Sequence, residues 1–284
     1  MAIETVSIVG VGLIGGSFGL ALRAAGFTGR IIGVSSPRTI EAALERGAID
    51  EGRPLAEAIP GSDLVYLAQP ISRILEVLPE VSRLARAGAL VTDAGSTKRE
   101  IVERARGCFA DDPFFVGGHP MAGKEQRGVE RAEPDLFAAA TYVLSPPGSD
   151  LPDAPVVDEF VAWIGKIGAH VVLLPAEAHD KVVSWTSHLP QLLSTALAAS
   201  VGKRIAGKDL LRVAGPGLRD MTRLAESPYE MWKDILGTNT SEIEQALDRY
   251  IEELQALRND LASDQVEQSF RDAGQLRRRL STKR

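Results

Sequence analysis

The chemistry this 284-residue chain could do is carried by a glycine turn, two polar loops and a pair of arginines. Gly10, Gly12 and Gly15 form a G-x-G-x-x-G run. The first allows a tight turn, the second lets backbone approach a pyrophosphate, and the third lets a helix pack close to a strand. The helix would open at Leu13 and Ile14, where free N–H groups and the positive dipole end attract phosphate. Asp93-Ala94-Gly95-Ser96-Thr97-Lys98 puts hydroxyls and an ammonium in one loop. His119 lies in Gly117-Gly118-His119-Pro120-Met121-Ala122-Gly123-Lys124-Glu125. An imidazole titrates near neutrality and can take a proton in a dehydrogenase step. Arg219 and Arg223 are spaced one helical turn apart, which suits a clamp on a carboxylate; their plainer reading is a pair of solvated surface charges.

The elements that must position these groups follow from hydrophobic patterning. Val6, Ile8 and Val9 read as a buried parallel strand. Ile14, Phe18, Leu22 and Ala25 then recur at helical spacing, and Gly26 ends the helix. Residues 30–34 predict a second strand. At its end an acidic residue would select NAD by accepting from the ribose hydroxyls. The sequence there is Ser35-Ser36-Pro37-Arg38, with donors and positive charge and no carboxylate. That favours the 2′-phosphate of NADP, with NAD the alternative. The same serines also suit a helix cap, and both readings can hold together.

Residues 63–68 predict a third strand ending at Gln69-Pro70, which would border the cofactor. Residues 89–93 predict a fourth, and 114–116 a fifth that delivers the His119 loop. Ser96 and Lys98 therefore stand beyond a strand's carboxyl end, where open parallel sheets bind ligands. Ser96 or Thr97 capping a helix over 98–106, with Glu100 completing a capping box, is equally open. Further strands are expected at 142–144 and 171–174.

From residue 176 the strand signals stop. A long helix over 176–201, interrupted or bent near Pro190, would carry His179, Asp180, Trp185, His188 and Gln191. Helices follow over 228–236, with Trp232, and over 241–261. In the last of these Ile243, Leu247, Ile251, Leu254, Leu257 and Leu261 form a nearly heptad stripe suited to a core or a subunit interface. The fold class is thus α/β, a Rossmann-type mostly parallel sheet domain over 1–175 and an all-α domain over 176–284. The net charge of −6 argues against nucleic acid as a general partner. The lone Cys108 rules out an intrachain disulfide framework and suits a cytoplasmic protein. No uncharged apolar stretch is long enough to span a bilayer, and the early first strand argues against a signal peptide.

Taken together, Val-Gly-Leu-Ile-Gly-Gly-Ser, Thr-Asp-Ala-Gly-Ser-Thr-Lys, Gly-Gly-His-Pro-Met-Ala-Gly-Lys-Glu, Ser-His-Leu-Pro-Gln and Leu-Arg-Asp-Met-Thr-Arg resemble the prephenate/arogenate dehydrogenases of tyrosine biosynthesis. The resemblance implies oxidative decarboxylation of a cyclohexadienol carboxylate by an NAD(P)-dependent homodimer joined through its helical domain. It implies no metal. By that resemblance His119 is the catalytic histidine, and Ser96 holds it and the substrate hydroxyl beside the nicotinamide. Arg223 would bind a substrate carboxylate, while His188 and Gln191 would line the substrate pocket. Some relatives carry a second histidine where Gln191 stands. Glu125 and Arg219 would form a gate at the pocket mouth, and Trp232 would stand near the pocket, from its own chain or across a dimer. The rival readings are a β-hydroxyacid dehydrogenase or imine reductase, and a non-catalytic NADP-sensing module.

Overall fold

β1 (Thr5–Val9) is buried along its whole length and leads through Gly10 into α1 (Leu13–Ala24). The computed structural model describes residues 3–110, 112–123, 126–205 and 210–281. The chain continues through β2 (Arg30–Val34), α2 (Pro37–Glu45), β3 (Glu51–Gly52), α3 (Leu55–Ala58), β4 (Leu64–Leu67) and α4 (Ile71–Leu84). Next come β5 (Leu90–Asp93), α5 (Arg99–Arg106), β6 (Phe114–Pro120), β7 (Thr141–Ser145), α6 (Pro155–Lys166) and β8 (His170–Leu173). The two-residue β3 is an addition to the strands expected from patterning, being too short to show a period.

Among the described residues these strands form one sheet in the order β3-β2-β1-β4-β5-β6-β7-β8. Every pairing is parallel except β6 with β7. Strand alternation buries both faces: along β4, Leu64 and Tyr66 join one apolar cluster with Phe18 and Phe160, while Val65 and Leu67 join another with Ile74 and Val102. The strand order reverses between β1 and β4, which opens a crevice beyond their carboxyl ends.

The fifth predicted strand is longer than expected. Residues 114–116 pair with β5, and the same strand then pairs antiparallel with β7 from Gly117 to Pro120. His119 is therefore a strand residue opposite Val143, not a loop residue. Backbone pairing with β7 holds it more rigidly than a loop would.

The helical part comprises α7 (Ala176–Val183), α8 (Leu189–Arg204), α9 (Pro216–Thr222), α10 (Tyr229–Thr238), α11 (Thr240–Asp260) and α12 (Gln265–Ser281). The helix expected over 176–201 with an interruption or bend near Pro190 is continuous, with its irregularity just upstream of that proline, a π-helical turn at Ser184–His188. Pro190 sits in the first turn of α8, where its missing N–H costs nothing. By contact density the chain divides into Met1–Asn239 and Thr240–Arg284. No described helix is long and apolar enough to cross a membrane.

Within the first unit, side chains from the helical part cap helices of the sheet. Asp180 accepts from the backbone N–H of Lys98 (2.7 Å) and Arg99 (2.9 Å) at the start of α5. Asp234 accepts from the Ser72 N–H (2.8 Å) in the first turn of α4, whose N-cap Pro70 has no capping side chain. Such a cap contributes about 1 kcal/mol, more where the helix dipole faces a partly buried carboxylate. The capping box expected from Ser96 or Thr97 with Glu100 does not form. Lys98 is the N-cap of α5, and Thr97 instead hydrogen-bonds Thr238 at 2.7 Å.

Candidate active site

The glycine turn has the geometry its spacing predicts. Gly10 has φ +94°, and a Cβ there would lie 2.6 Å from the Ala68 carbonyl oxygen. A Cβ on Gly15 would lie 2.1 Å from the Gly10 carbonyl oxygen, so helix and strand close only because that atom is missing. Gly12, by contrast, faces open space, and as N-cap it offers no side-chain acceptor to the first N–H groups of α1. An uncapped helix start beside open space fits a dinucleotide diphosphate.

That open space is part of a cleft of about 380 Å³. Its walls include Gly12, Leu13, Ile14, Gln69, Pro70 and Ser96, which brings five of the predicted cofactor residues and Ser96 around one cavity. The buried Oε1 of Gln69 has no partner in the protein, which suits an acceptor awaiting a ligand donor. α10 closes the cleft with Glu230, Met231 and Asp234, none of them anticipated from sequence. Ser35, Ser36 and Arg38 are exposed at the end of β2, outside this cleft. The Ser36 Oγ accepts from the Thr39 N–H at 3.4 Å, so the helix-cap reading of that serine holds.

His119 sits three residues before Ala122 of the cleft wall. Its Nδ1 lies 2.8 Å from His179 Nε2, and His179 Nδ1 lies 2.7 Å from Asp180 Oδ1. Burial holds the His119 imidazole well below its usual range, and His179, Lys98 and His188 push the same way. Burial alone would raise Asp180. The hydrogen bonds from His179, Arg99 and Lys98 outweigh it, so that carboxylate stays below its ordinary range. Asn239 donates to the Asp180 carbonyl (2.9 Å) and stands 3.2 Å from His188 Nδ1. His188 is carried by the π turn, and its ring meets Trp232 of the same chain edge to face at 6.0 Å. Burial lowers His188 to about 4; Asp180 opposes this and His179 adds to it.

Lys98 and Asp93, both wholly buried, form an ion pair. Asp93 also accepts from the N–H of Gly95 (2.7 Å) and Gly118 (3.1 Å), tying the Ser96 loop to the His119 strand. Desolvation lowers Lys98, and the charges of Asp93 and Asp180 work against that.

The arginines differ from their expected arrangement. α9 ends at Thr222, so Arg219 lies on the helix while Arg223 begins the following Arg223–Glu226 turn. Both are exposed, and neither lines the cleft. Gln191 is buried, and its amide donates to the Leu224 carbonyl at 2.8 Å, within that turn. Glu125 lies outside the described residues. The sequence places His179 and Asp180 on a helix without giving them a role, and it does not point to Asn239. The only local signal for the first two is an acid next to a histidine near the start of a helix.

Comparison with known proteins finds likeness along the chain. Family models described as "Prephenate dehydrogenase, nucleotide-binding domain" and "Prephenate dehydrogenase, dimerization domain" match residues 18–173 and 175–275. The prephenate dehydrogenase of Bacillus subtilis (strain 168) is 34% identical over 275 residues, covering 94% of this chain and 73% of that protein. The crystal structure of prephenate dehydrogenase from A. aeolicus, in complex with hydroxyphenyl propionate and NAD+, superposes with a TM-score of 0.89 at 29% identity and covers 99% of both chains. Synechocystis arogenate dehydrogenase superposes with a TM-score of 0.81 at 29% identity, covering 98% of this chain and 99% of that one.

Proposed function

The chain belongs to the prephenate dehydrogenase family, and from that premise we propose that it oxidises and decarboxylates prephenate or arogenate, as in tyrosine biosynthesis. The observation that supports this most is the contact between His119 Nδ1 and His179 Nε2 at the end of β6, in a sheet whose glycine turn fits a dinucleotide. His119 Nε2 accepts the proton of the ring hydroxyl, and Ser96 orients that hydroxyl. A bound nicotinamide dinucleotide supplies the acceptor for the hydride that leaves the same carbon. The ring carboxylate departs as carbon dioxide, driven by aromatisation. The base must be neutral to work, and the buried setting of His119 keeps it so. The test is turnover of prephenate and of arogenate, each with NAD and NADP, followed as reduced nicotinamide. Cofactor binding with turnover of neither substrate would sink the reading.

Arg223 binds a substrate carboxylate, and Gln191 serves it by holding the Arg223–Glu226 turn rather than by lining the pocket. The family resemblance assigns Arg219 and Glu125 a gating role toward the substrate. Arg223→Ala is expected to raise KM about tenfold or more, as for a lost charged hydrogen bond, with kcat changed less. An unchanged KM in steady-state assays removes the clamp.

The preferred cofactor is NADP, because Ser35, Ser36 and Arg38 offer donors and charge where no carboxylate would repel a 2′-phosphate. Arg38→Ala should raise KM for NADP about tenfold and leave KM for NAD nearly unchanged. Equal effects on the two cofactors would argue that Arg38 does not read the phosphate.

The assembly is a homodimer formed by the helical part. Ile251, Leu254 and Leu261 of the heptad stripe, and Phe270, Leu276 and Leu280 of α12, are exposed in the single chain, an unusual amount of apolar side chain to leave in water. Ile251→Glu with Leu254→Glu should convert dimers to monomers in sedimentation analysis, and unshifted sedimentation would exclude this face.

A further inference from the structure

We propose that Asp180 and His179 are positioning residues that fix the tautomer of His119, leaving its Nε2 as a bare acceptor for the substrate proton. The inference rests on His119 being the base, as set out above, and extends it to residues that touch neither substrate nor cofactor. It follows from donors and acceptors taken in order. Asp180 is a carboxylate held by the N–H groups of Lys98 and Arg99, so it can only accept. The His179 Nδ1 at 2.7 Å must therefore carry the proton. In a neutral imidazole the other nitrogen is then bare, so His179 Nε2 accepts. The His119 Nδ1 at 2.8 Å is its donor. That uses the one N–H of a neutral His119 ring, and its Nε2 is left with a bare lone pair. The reverse tautomer would put a hydrogen where the substrate hydroxyl must deliver its own.

The relay is rigid at each joint. Asp180 is anchored at both carboxylate oxygens to the start of α5, and its backbone carbonyl is anchored by Asn239. His119 is anchored in the strand pair with β7. When His119 takes the substrate proton, its Nδ1–H bond to His179 spreads the new charge toward Asp180, and no proton leaves His119. This contact matters because the other charged group facing His119 is Lys98, which opposes that charge and is itself offset by Asp93; the remaining neighbour is the neutral His188.

Nitrogen-15 spectra of the wild-type enzyme test the tautomers directly, since the chain has only four histidines. Nδ1–H on both His119 and His179 is the expected result; Nε2–H on His119 overturns the proposal. Kinetics provide the second arm. His179→Phe keeps a ring but removes the acceptor, and should lower kcat about 10²-fold with KM nearly unchanged. The acid limb of its kcat/KM profile should move to lower pH, because an imidazolium without its acceptor is less stable. His179→Gln, whose side-chain carbonyl can accept, should recover part of the rate and of the limb. A packing role alone would leave the limb in place and make Gln no better than Phe, and that outcome also overturns the proposal. A dead His119→Asn enzyme beside a His179→Phe enzyme at full rate sinks the relay alone; full rate in both sinks the base assignment as well.

Discussion

Replacing His119 with Asn is expected to lower kcat by about 10³-fold while KM stays within a few-fold, which is the pattern for a group that acts mainly in the transition state. Asn is close to His in reach and can still meet His179, so the strand pairing of β6 with β7 should survive the change. What it lacks is a basic lone pair. The substrate hydroxyl then has no acceptor at the moment hydride leaves, and the alcohol must be oxidised as a neutral group. Burial sets the pH range in which the wild-type base works. Desolvation disfavours the imidazolium, and His179, Lys98 and His188 add to that, so His119 is neutral at pH 7. The wild-type kcat/KM should therefore be flat through neutrality and fall only on the acid side, below pH ~6.5, the ordinary value for a histidine. Steady-state assays of His119→Asn at saturating cofactor decide the matter. A kcat within tenfold of wild type would take His119 out of the mechanism.

How far the site could be read from sequence depends on whether its determinants are local. The glycine turn could be, because Gly10 and Gly15 meet through contacts only a few residues apart, and the strand before them is apolar throughout. His119 could be nominated for its chemistry but not placed. A strand that changes partner in mid-course, from β5 to β7, leaves no periodic mark on Gly117–Pro120, and glycines and a proline look like a loop. The capping box failed for a related reason. Ser96, Thr97 and Glu100 have the right spacing, but the start of α5 is capped from residue 180, so tertiary contact overrode a sound local signal. Gln191 shows the converse: the resemblance gave it a place in the lining of the substrate pocket, and only its hydrogen bond to the Leu224 carbonyl reveals that it supports the turn that begins at Arg223. The relay through His179 to Asp180 joins residues 60 apart and is legible only once α7 is docked beside β6.

Lys98→Met should destabilise the protein by about 3–5 kcal/mol, the usual cost of leaving one member of a buried ion pair without its partner. Lys98 and Asp93 are both wholly shielded from water, and Met fills nearly the same volume as the lysine stem, so a cavity contributes little. The loss comes from Asp93, whose charge would keep only the N–H groups of Gly95 and Gly118. Removing both charged groups with apolar residues would not repair this, since those two N–H groups would then be buried without an acceptor. Asp93→Asn combined with Lys98→Met is the informative double variant. It removes the stranded charge yet keeps a carbonyl oxygen for one backbone donor, so it should recover a good part of the stability lost by Lys98→Met alone. Denaturant unfolding of the wild type, the single and the double variant measures each term. The functional consequence is separable, because Asp93 ties the loop of Ser96 to the strand of His119. Below its melting temperature, Lys98→Met should still lose turnover as those two side chains drift apart. A single variant within 1 kcal/mol of wild type, or one no less stable than the double, would mean that the ion pair does not hold the site together.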